Sequence, residues 1–149
     1  MRRLRTAGAA IFLAALSTAC ASPASEAPQA NAAMGDAPAG GFLMPSGNIG
    51  CYLTATQARC DINRKSWLPP SKPADCGLAY GFALAVADSA ASFLCAGDSV
   101  LQSAGPILGY GQSRQAGNLR CTSEPNAVKC ENVVSGHGFT LAREQYDLW

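Results

Sequence analysis

The chain of 149 residues has a single histidine, His137, and its seven cysteines contain no Cys-x-x-Cys pair. Structural zinc sites take their ligands from closely spaced Cys and His. With the histidine after the last cysteine, a zinc reading is weak. Acidic residues at EF-hand spacing are also missing, as are a Gly-x-Gly-x-x-Gly turn, a phosphate loop and a Gly-x-Ser-x-Gly elbow. These absences remove the usual signatures of calcium, nucleotide and serine-nucleophile chemistry, and no cofactor is expected. Charge of one sign is lacking too. Of eleven basic residues against ten acidic ones, Arg2, Arg3 and Arg5 lie at the extreme N-terminus, which leaves eight against ten. That balance excludes the basic footprint of a nucleic-acid binder.

No apolar run is long enough for a bilayer span, which needs ~20 residues. The run Ala7 to Leu16 behind the three arginines instead has the length of a signal-peptide core. It leads into Leu16-Ser17-Thr18-Ala19-Cys20, where small residues before a cysteine suggest a lipoprotein signal over 1–20 with Cys20 as the lipidated residue. The competing reading takes Ala19-Cys20-Ala21 as a small-x-small box cleaved after Ala21. Residues 21–40 are almost all Ala, Pro, Ser, Gly, Gln and Asn, a composition that buries too little apolar surface to order itself. They read as a flexible tether before one domain over 41–149. Membrane contact is expected only through the lipid anchor, so the expected location is the extracytoplasmic face of the cell membrane, or the medium if Cys20 is removed.

Whether lipidated or removed, Cys20 leaves an even set: Cys51, Cys60, Cys76, Cys95, Cys121 and Cys130. In an exported chain such a set reads as a disulfide framework. Two stretches resemble one another. Gly47-Asn48-Ile49-Gly50-Cys51 runs to Cys60-Asp61, and Gly117-Asn118-Leu119-Arg120-Cys121 runs to Cys130-Glu131. If each is a hairpin with its cysteines opposed, Ile49, Cys51 and Leu53 share a face with Ala58, Cys60 and Ile62, because strand side chains alternate. Tyr52, Arg59 and Asp61 then point outward. The second copy turns Leu119, Cys121, Val128 and Cys130 inward and Arg120, Lys129 and Glu131 outward. Glu124-Pro125-Asn126-Ala127 suits a hairpin loop built on a type I turn. Each bond closes a short loop worth about 2–3 kcal/mol in the chain-entropy model. The scheme pairs 51 with 60 and 121 with 130, and by elimination 76 with 95.

Short segments between Pro- and Gly-rich breaks point to an all-β fold, a small disulfide-stapled sandwich or barrel-like domain of antiparallel hairpins. A two-fold repeat over 47–62 and 117–132 is the natural reading of the paired hairpins. The middle segment is ambiguous. Phe82, Leu84 and Val86 alternate with Ala83 and Ala85 as in a strand, yet Phe82, Val86, Ala90 and Phe93 also share a helical face. Two strands are the favoured reading.

An ordered set of motifs spans the domain: Phe42-Leu43-Met44-Pro45-Ser46-Gly47-Asn48-Ile49-x-Cys51, Arg59-Cys60-Asp61-Ile62, Trp67-x-Pro69-Pro70, Phe93-x-Cys95-x-Gly97-Asp98, Leu108-x-Tyr110-Gly111, and Gly136-His137-Gly138-Phe139-x-Leu141-x-Arg143-x-x-Tyr146-x-Leu148. With these motifs the chain resembles a family of small uncharacterised secreted proteins and lipoproteins common in actinobacteria. The resemblance implies export and disulfides, and carries over no catalytic or binding role.

Three functional classes follow: an envelope binding module, a hydrolase using His137, or a passive envelope component. The binding module leads. Its candidate site is Trp67 beside Pro69-Pro70, where a rigid aromatic platform loses little entropy on binding. Arg64 and Lys65 are placed to steer an anionic envelope polymer. The plain alternative has Trp67 plugging the core under a proline-rich crossing loop. Trp149 either closes the core or frays. For His137 a catalytic reading would pair it with Ser135 and orient it by Asp98 or Asp147, but a local turn histidine is the simpler assignment. Asp98 as a calcium ligand is weaker than Asp98 in an ordinary turn. The partner is expected to be an envelope protein or polymer.

Overall fold

A computed structural model describes residues 40–102 and 104–149, so the expected signal, Cys20 and nearly all of the tether lie outside the described residues. Ten strands follow in chain order: β1 Gly40–Leu43, β2 Ile49–Leu53, β3 Ala58–Ile62, β4 Ala79–Val86, β5 Ser92–Ala96, β6 Ser113–Ala116, β7 Leu119–Ser123, β8 Ala127–Asn132, β9 Gly138–Ala142 and β10 Tyr146–Leu148. They form two antiparallel five-stranded sheets, each with its strands in sequence order, β1 to β5 and β6 to β10. The sheets pack face to face, β2 against β6, β3 against β7, and β4 against β8 and β9. The architecture is a sandwich and not a closed barrel.

Alternation builds the core. Ile49, Cys51, Leu53, Ala58, Cys60 and Ile62 are all buried on the inner face of the first sheet. Leu119, Cys121, Val128, Cys130, Phe139 and Leu141 face them from the second. Phe42 and Leu84 complete the layer. Three disulfides are closed: Cys51–Cys60, Cys76–Cys95 and Cys121–Cys130. In both hairpins the bonded cysteines are direct cross-strand partners, with Cα separations of 4.0 and 4.1 Å.

The Gly-Asn pairs ahead of each hairpin have a structural reason. Gly47 and Gly117 sit at φ +67° and +55°, where an L side chain is strained. The carbonyl of the following asparagine then extends the ladder, Asn48 O accepting from Asn63 N and Asn118 O from Val133 N, both at 2.9 Å. The hairpin tips match as well, with Thr54 N donating to Gln57 O and Glu124 N to Ala127 O. Among the described residues no non-glycine has positive φ, as the expected type I turn at 124–127 requires. The likeness extends beyond the stretches that resemble one another in sequence. Leu84 stands opposite Cys60 as Phe139 does opposite Cys130, and Phe93 opposite Leu84 as Leu148 does opposite Phe139.

The middle segment is two strands. Its alternation is broken by a bulge between Tyr80 and Leu84, at Gly81. Gly81 has φ +90°, and a methyl there would lie 2.5 Å from Pro69 Cγ. The bulge turns Phe82 outward, 50% exposed, while Leu84 and Val86 stay buried.

Two connections leave the meander pattern. Residues 63–78, between β3 and β4, carry Trp67 and the prolines across the open edge of the sandwich. Residues 97–112 join the sheets by crossing the outside of the first one. Leu101 packs so closely on Gly50 that a methyl there would lie 3.0 Å from the Leu101 Cα. The segment then pairs with β1 through a parallel bridge, Leu43 to Ile107, with Leu43 N donating to Pro106 O and Leu108 N to Leu43 O.

Candidate functional site

The 63–78 connection carries Arg64, Lys65 and Lys72, none of them in an ion pair among the described residues. Asn48 pins Arg64 by its backbone, Nδ2 donating to Arg64 O and Arg64 N to Asn48 Oδ1, both at 2.9 Å. Two residues on, Ser66 N donates to Arg143 O at 2.8 Å, just past the end of β9. Trp67 Nε1 donates to Ala142 O at 2.9 Å. The connection is thereby latched to the second sheet, and Arg64 and Arg143 are brought to one rim.

Trp67 lies largely inside this latch. Its ring meets Tyr146 of β10 at 4.6 Å and Phe93 of β5 at 6.0 Å, while Phe93 meets Tyr146 edge-on at 4.9 Å. The plugging role fits this geometry: the four-ring set, with Tyr80 against Phe93 at 5.7 Å, closes the gap between the two edge strands. Lys65 covers the outer side. Its ammonium sits 4.2 Å from the Trp67 ring centroid and 5.1 Å from that of Phe82, and donates to Trp67 O at 3.2 Å. Burial lowers the Lys65 pKa from its ordinary value.

Three concavities run in line along this side. A cleft of about 620 Å³ lies on the outer face of the first sheet, floored by Ala79 and Ala83 and walled by Tyr80, Phe82 and Leu94. The next, about 570 Å³, holds Lys65, Trp67 and Leu68. The third, about 240 Å³, reaches Tyr110 and the hairpin tip at Pro125 and Asn126. Asn63 and Phe82 line both the first and the second, and Arg64 and Arg143 both the second and the third. The three are therefore neighbours, a groove in three parts with Arg64 and Arg143 where the second and third meet.

Two ion-pair clusters hold other charges internally. Arg59 forks onto Asp61 at 2.9 and 3.0 Å and reaches Asp98 at 3.0 Å. Hydrogen bonding to Asp61 raises its pKa further, and the same guanidinium lowers that of Asp98. Asp61 was expected to face solvent, yet it is 3% exposed. The crossing segment covers it, and Val100 N donates to its Oδ2 at 3.0 Å. Glu131 binds Arg120 and, at 2.8 Å, Lys129. Among the described residues no ion pair involves Arg64, Lys65 or Arg143. Glu144 is the one carboxylate lining either of the two cavities they share.

His137 lies apart from this groove, in the turn between β8 and β9. Its carbonyl accepts from Asn132 N at 2.8 Å, and Ser135 Oγ accepts from its backbone N–H at 3.4 Å. No hydrogen bond joins its imidazole to Ser135, Asp98 or Asp147, and Asp98 sits on the other sheet with Arg59. Trp149 neither closes the core nor frays. It exchanges two backbone hydrogen bonds with Gly138 at 3.0 Å and lays its ring over that glycine on the outer face, beneath Lys129. Among the described residues the one group of metal-capable side chains is Cys51, Cys60 and Cys130, whose sulfurs are tied in disulfides and offer no thiolate.

Two residues escaped sequence reasoning. Arg143 joins the groove only because the 63–78 connection returns to the end of β9. Asn132, 2% exposed, donates to Ala87 O and Asp88 Oδ1 and accepts from Val134 N and Ser135 N. It sits where the first hairpin has Ile62, so a contrast between the two copies was the available signal.

No curated protein and no solved structure matches the chain. A family model does match, over residues 14–149, which takes in every strand, the groove and all three staples. The chain belongs to the family of unknown function DUF6636.

Proposed function

We propose that this protein is an exported binding module of the cell envelope, held to the membrane through a lipid on Cys20, whose groove takes an extended anionic envelope polymer. The observation that carries this reading is the basic cluster: Arg64, Lys65 and Arg143 without ion-pair partners, beside exposed Phe82 and Leu68, where adjacent concavities meet. Arginine offers a planar fork suited to carboxylate or phosphate groups, and the aromatic and apolar walls on either side suit the uncharged parts of a chain. Three disulfides fit an oxidising, extracytoplasmic compartment. A stapled sandwich holds the groove rigid, which lowers the ordering cost of binding.

The test compares an acidic polysaccharide with a neutral one of equal length, titrated calorimetrically into the oxidised protein. Binding should be confined to the acidic polymer and weaken as salt is raised. The double variant Arg64→Glu/Arg143→Glu should lose at least about tenfold in affinity, about 1.4 kcal/mol, while keeping its unfolding midpoint. Equal binding of the neutral polymer, or an unchanged affinity in the double variant, would sink the proposal.

A further inference from the structure

The two hairpin staples touch each other. Cys60 Sγ lies 3.5 Å from Cys130 Sγ, and the sulfurs of Cys51, Cys60 and Cys130 all lie within 4.8 Å of one another. Disulfide sulfurs carry no hydrogen, so this is a van der Waals contact between two covalent bonds, with all four cysteines fully buried. Facing sheets ordinarily pack ~10 Å apart. Here Cα atoms of β3 and β7 come within 8 Å. Small core side chains permit that approach, cysteines together with Ala58 and Ala116.

From this geometry we infer that Cys60 and Cys130 are an alternative disulfide site, one that joins the two sheets and is reached from the hairpin staples by thiolate–disulfide exchange. A dithiol reductant delivers two electrons to Cys51–Cys60, closes its own disulfide, and leaves two thiols. Cys60 then loses its proton and its thiolate attacks Cys130 Sγ. The Cys60–Cys130 bond forms as Cys121–Cys130 breaks, and the electron pair leaves on Cys121, which takes up a proton. The exchange step is redox-neutral and ends with thiols at Cys51 and Cys121. Reduction of the other staple reaches the same product, because the Cys130 thiolate attacks Cys60 and releases Cys51. Both routes converge on the pair already in contact.

Two further features favour that product. The new bond spans seventy residues against nine for each staple, so it removes more chain entropy from the unfolded state. The two released thiols stay in an apolar layer, where cysteine behaves as a small hydrophobe. The thiolate is the attacking species, so exchange is faster in mild alkali than at neutral pH.

The test uses the full chain carrying Cys51→Ala and Cys121→Ala, purified reduced and then oxidised with glutathione disulfide. Peptide mapping without reduction should find Cys60 linked to Cys130 in more than half of the molecules. A folded variant, shown by its near-ultraviolet dichroism, that keeps free thiols at both positions would overturn the inference. Should that variant fail to fold, the unsubstituted chain supplies the second measurement. It is partially reduced with a substoichiometric phosphine, held at mildly alkaline pH, quenched in acid and alkylated. Species labelled at Cys51 and Cys121 together, with Cys60 bridged to Cys130, support exchange. Species labelled only at Cys51 and Cys60, or only at Cys121 and Cys130, whether or not the exposed Cys76–Cys95 bond is also open, refute it.

Discussion

Glu131 stands on the outer face of β8 between two cations, Lys129 at 2.8 Å and Arg120 from β7. The hydrogen bond from Lys129, and then that from Arg120, lowers its pKa below the ordinary glutamate value. A depressed folded-state pKa stabilises the fold above the unfolded value of about 4.3, and the contribution disappears as pH falls through the lower folded value. Glu131→Gln should therefore lower the urea midpoint at pH 7 and make little difference near pH 3. A gap that is the same at both pH values would show that the ion pairs contribute nothing to stability. Asp98 shifts in the same direction beside Arg59, but it is fully solvated and contributes little. Asn132 is a different kind of residue. Its side chain makes four hydrogen bonds that hold the tip of one sheet to a turn of the other, and nothing in its sequence neighbours announces this. The one signal is its contrast with Ile62 at the matching place of the first hairpin, while the groups that the amide satisfies at Ala87 and Asp88 belong to a distant turn.

Among the elements, the 63–78 connection ties the molecule together where its sheets would otherwise gape. Trp67 is its bolt, so Trp67→Ala should cost about 3 kcal/mol in urea unfolding, near the lower end for loss of a packed aromatic. A loss under about 1 kcal/mol would mean that the four-ring cluster does not hold the edges. The two hairpins were legible in the sequence because alternation, opposed cysteines and a Gly-Asn lead-in agreed with one another. For β4 and β5 period alone left strand and helix open, and the favoured two-strand reading is the one the structure has. Alternation groups Phe82 with Leu84 and Val86 because periodicity does not register the bulge between Tyr80 and Leu84, where Gly81 lies against distant Pro69. Asp61 was assigned to solvent because the segment that buries it arrives from residues 97–102. The candidate site was half legible. Arg64, Lys65 and Trp67 are neighbours in sequence, whereas Arg143 reaches them through a non-local hydrogen bond from Ser66 in the connection to the residue just past β9. Beyond the hairpins the repeat was hidden, because paired positions such as Leu84 and Phe139 need only be apolar and carry no shared pattern.

At the scale of the whole molecule, the three disulfides divide into two environments. The hairpin staples are fully buried, but Cys95 is exposed on edge strand β5, joined to Cys76 in the 63–78 connection. Exposure governs access by a thiol. A mild dithiol under native conditions should therefore open Cys76–Cys95 first, leaving near-ultraviolet dichroism and the cooperative unfolding of the sandwich in place. Simultaneous loss of all three bonds would show that the protein unfolds before it is reduced. Each sheet has an apolar inner face that only the other covers, so the halves stand or fall together.

The clasp around β1 also gives the molecule a mechanical direction. Tension applied ahead of Gly40 reaches β1 first, and that strand is held on one side by β2 and on the other by the hydrogen bonds of Leu43 with Pro106 and Leu108. A pull along the strand must shear both rows together instead of unzipping one. If β1 does yield, unravelling through β2 meets Cys51, whose bond to Cys60 locks the next hairpin against further extension. Beyond that point the load passes through that covalent bond, so residues 52–59 of the hairpin stay closed while the chain in front of them is stretched.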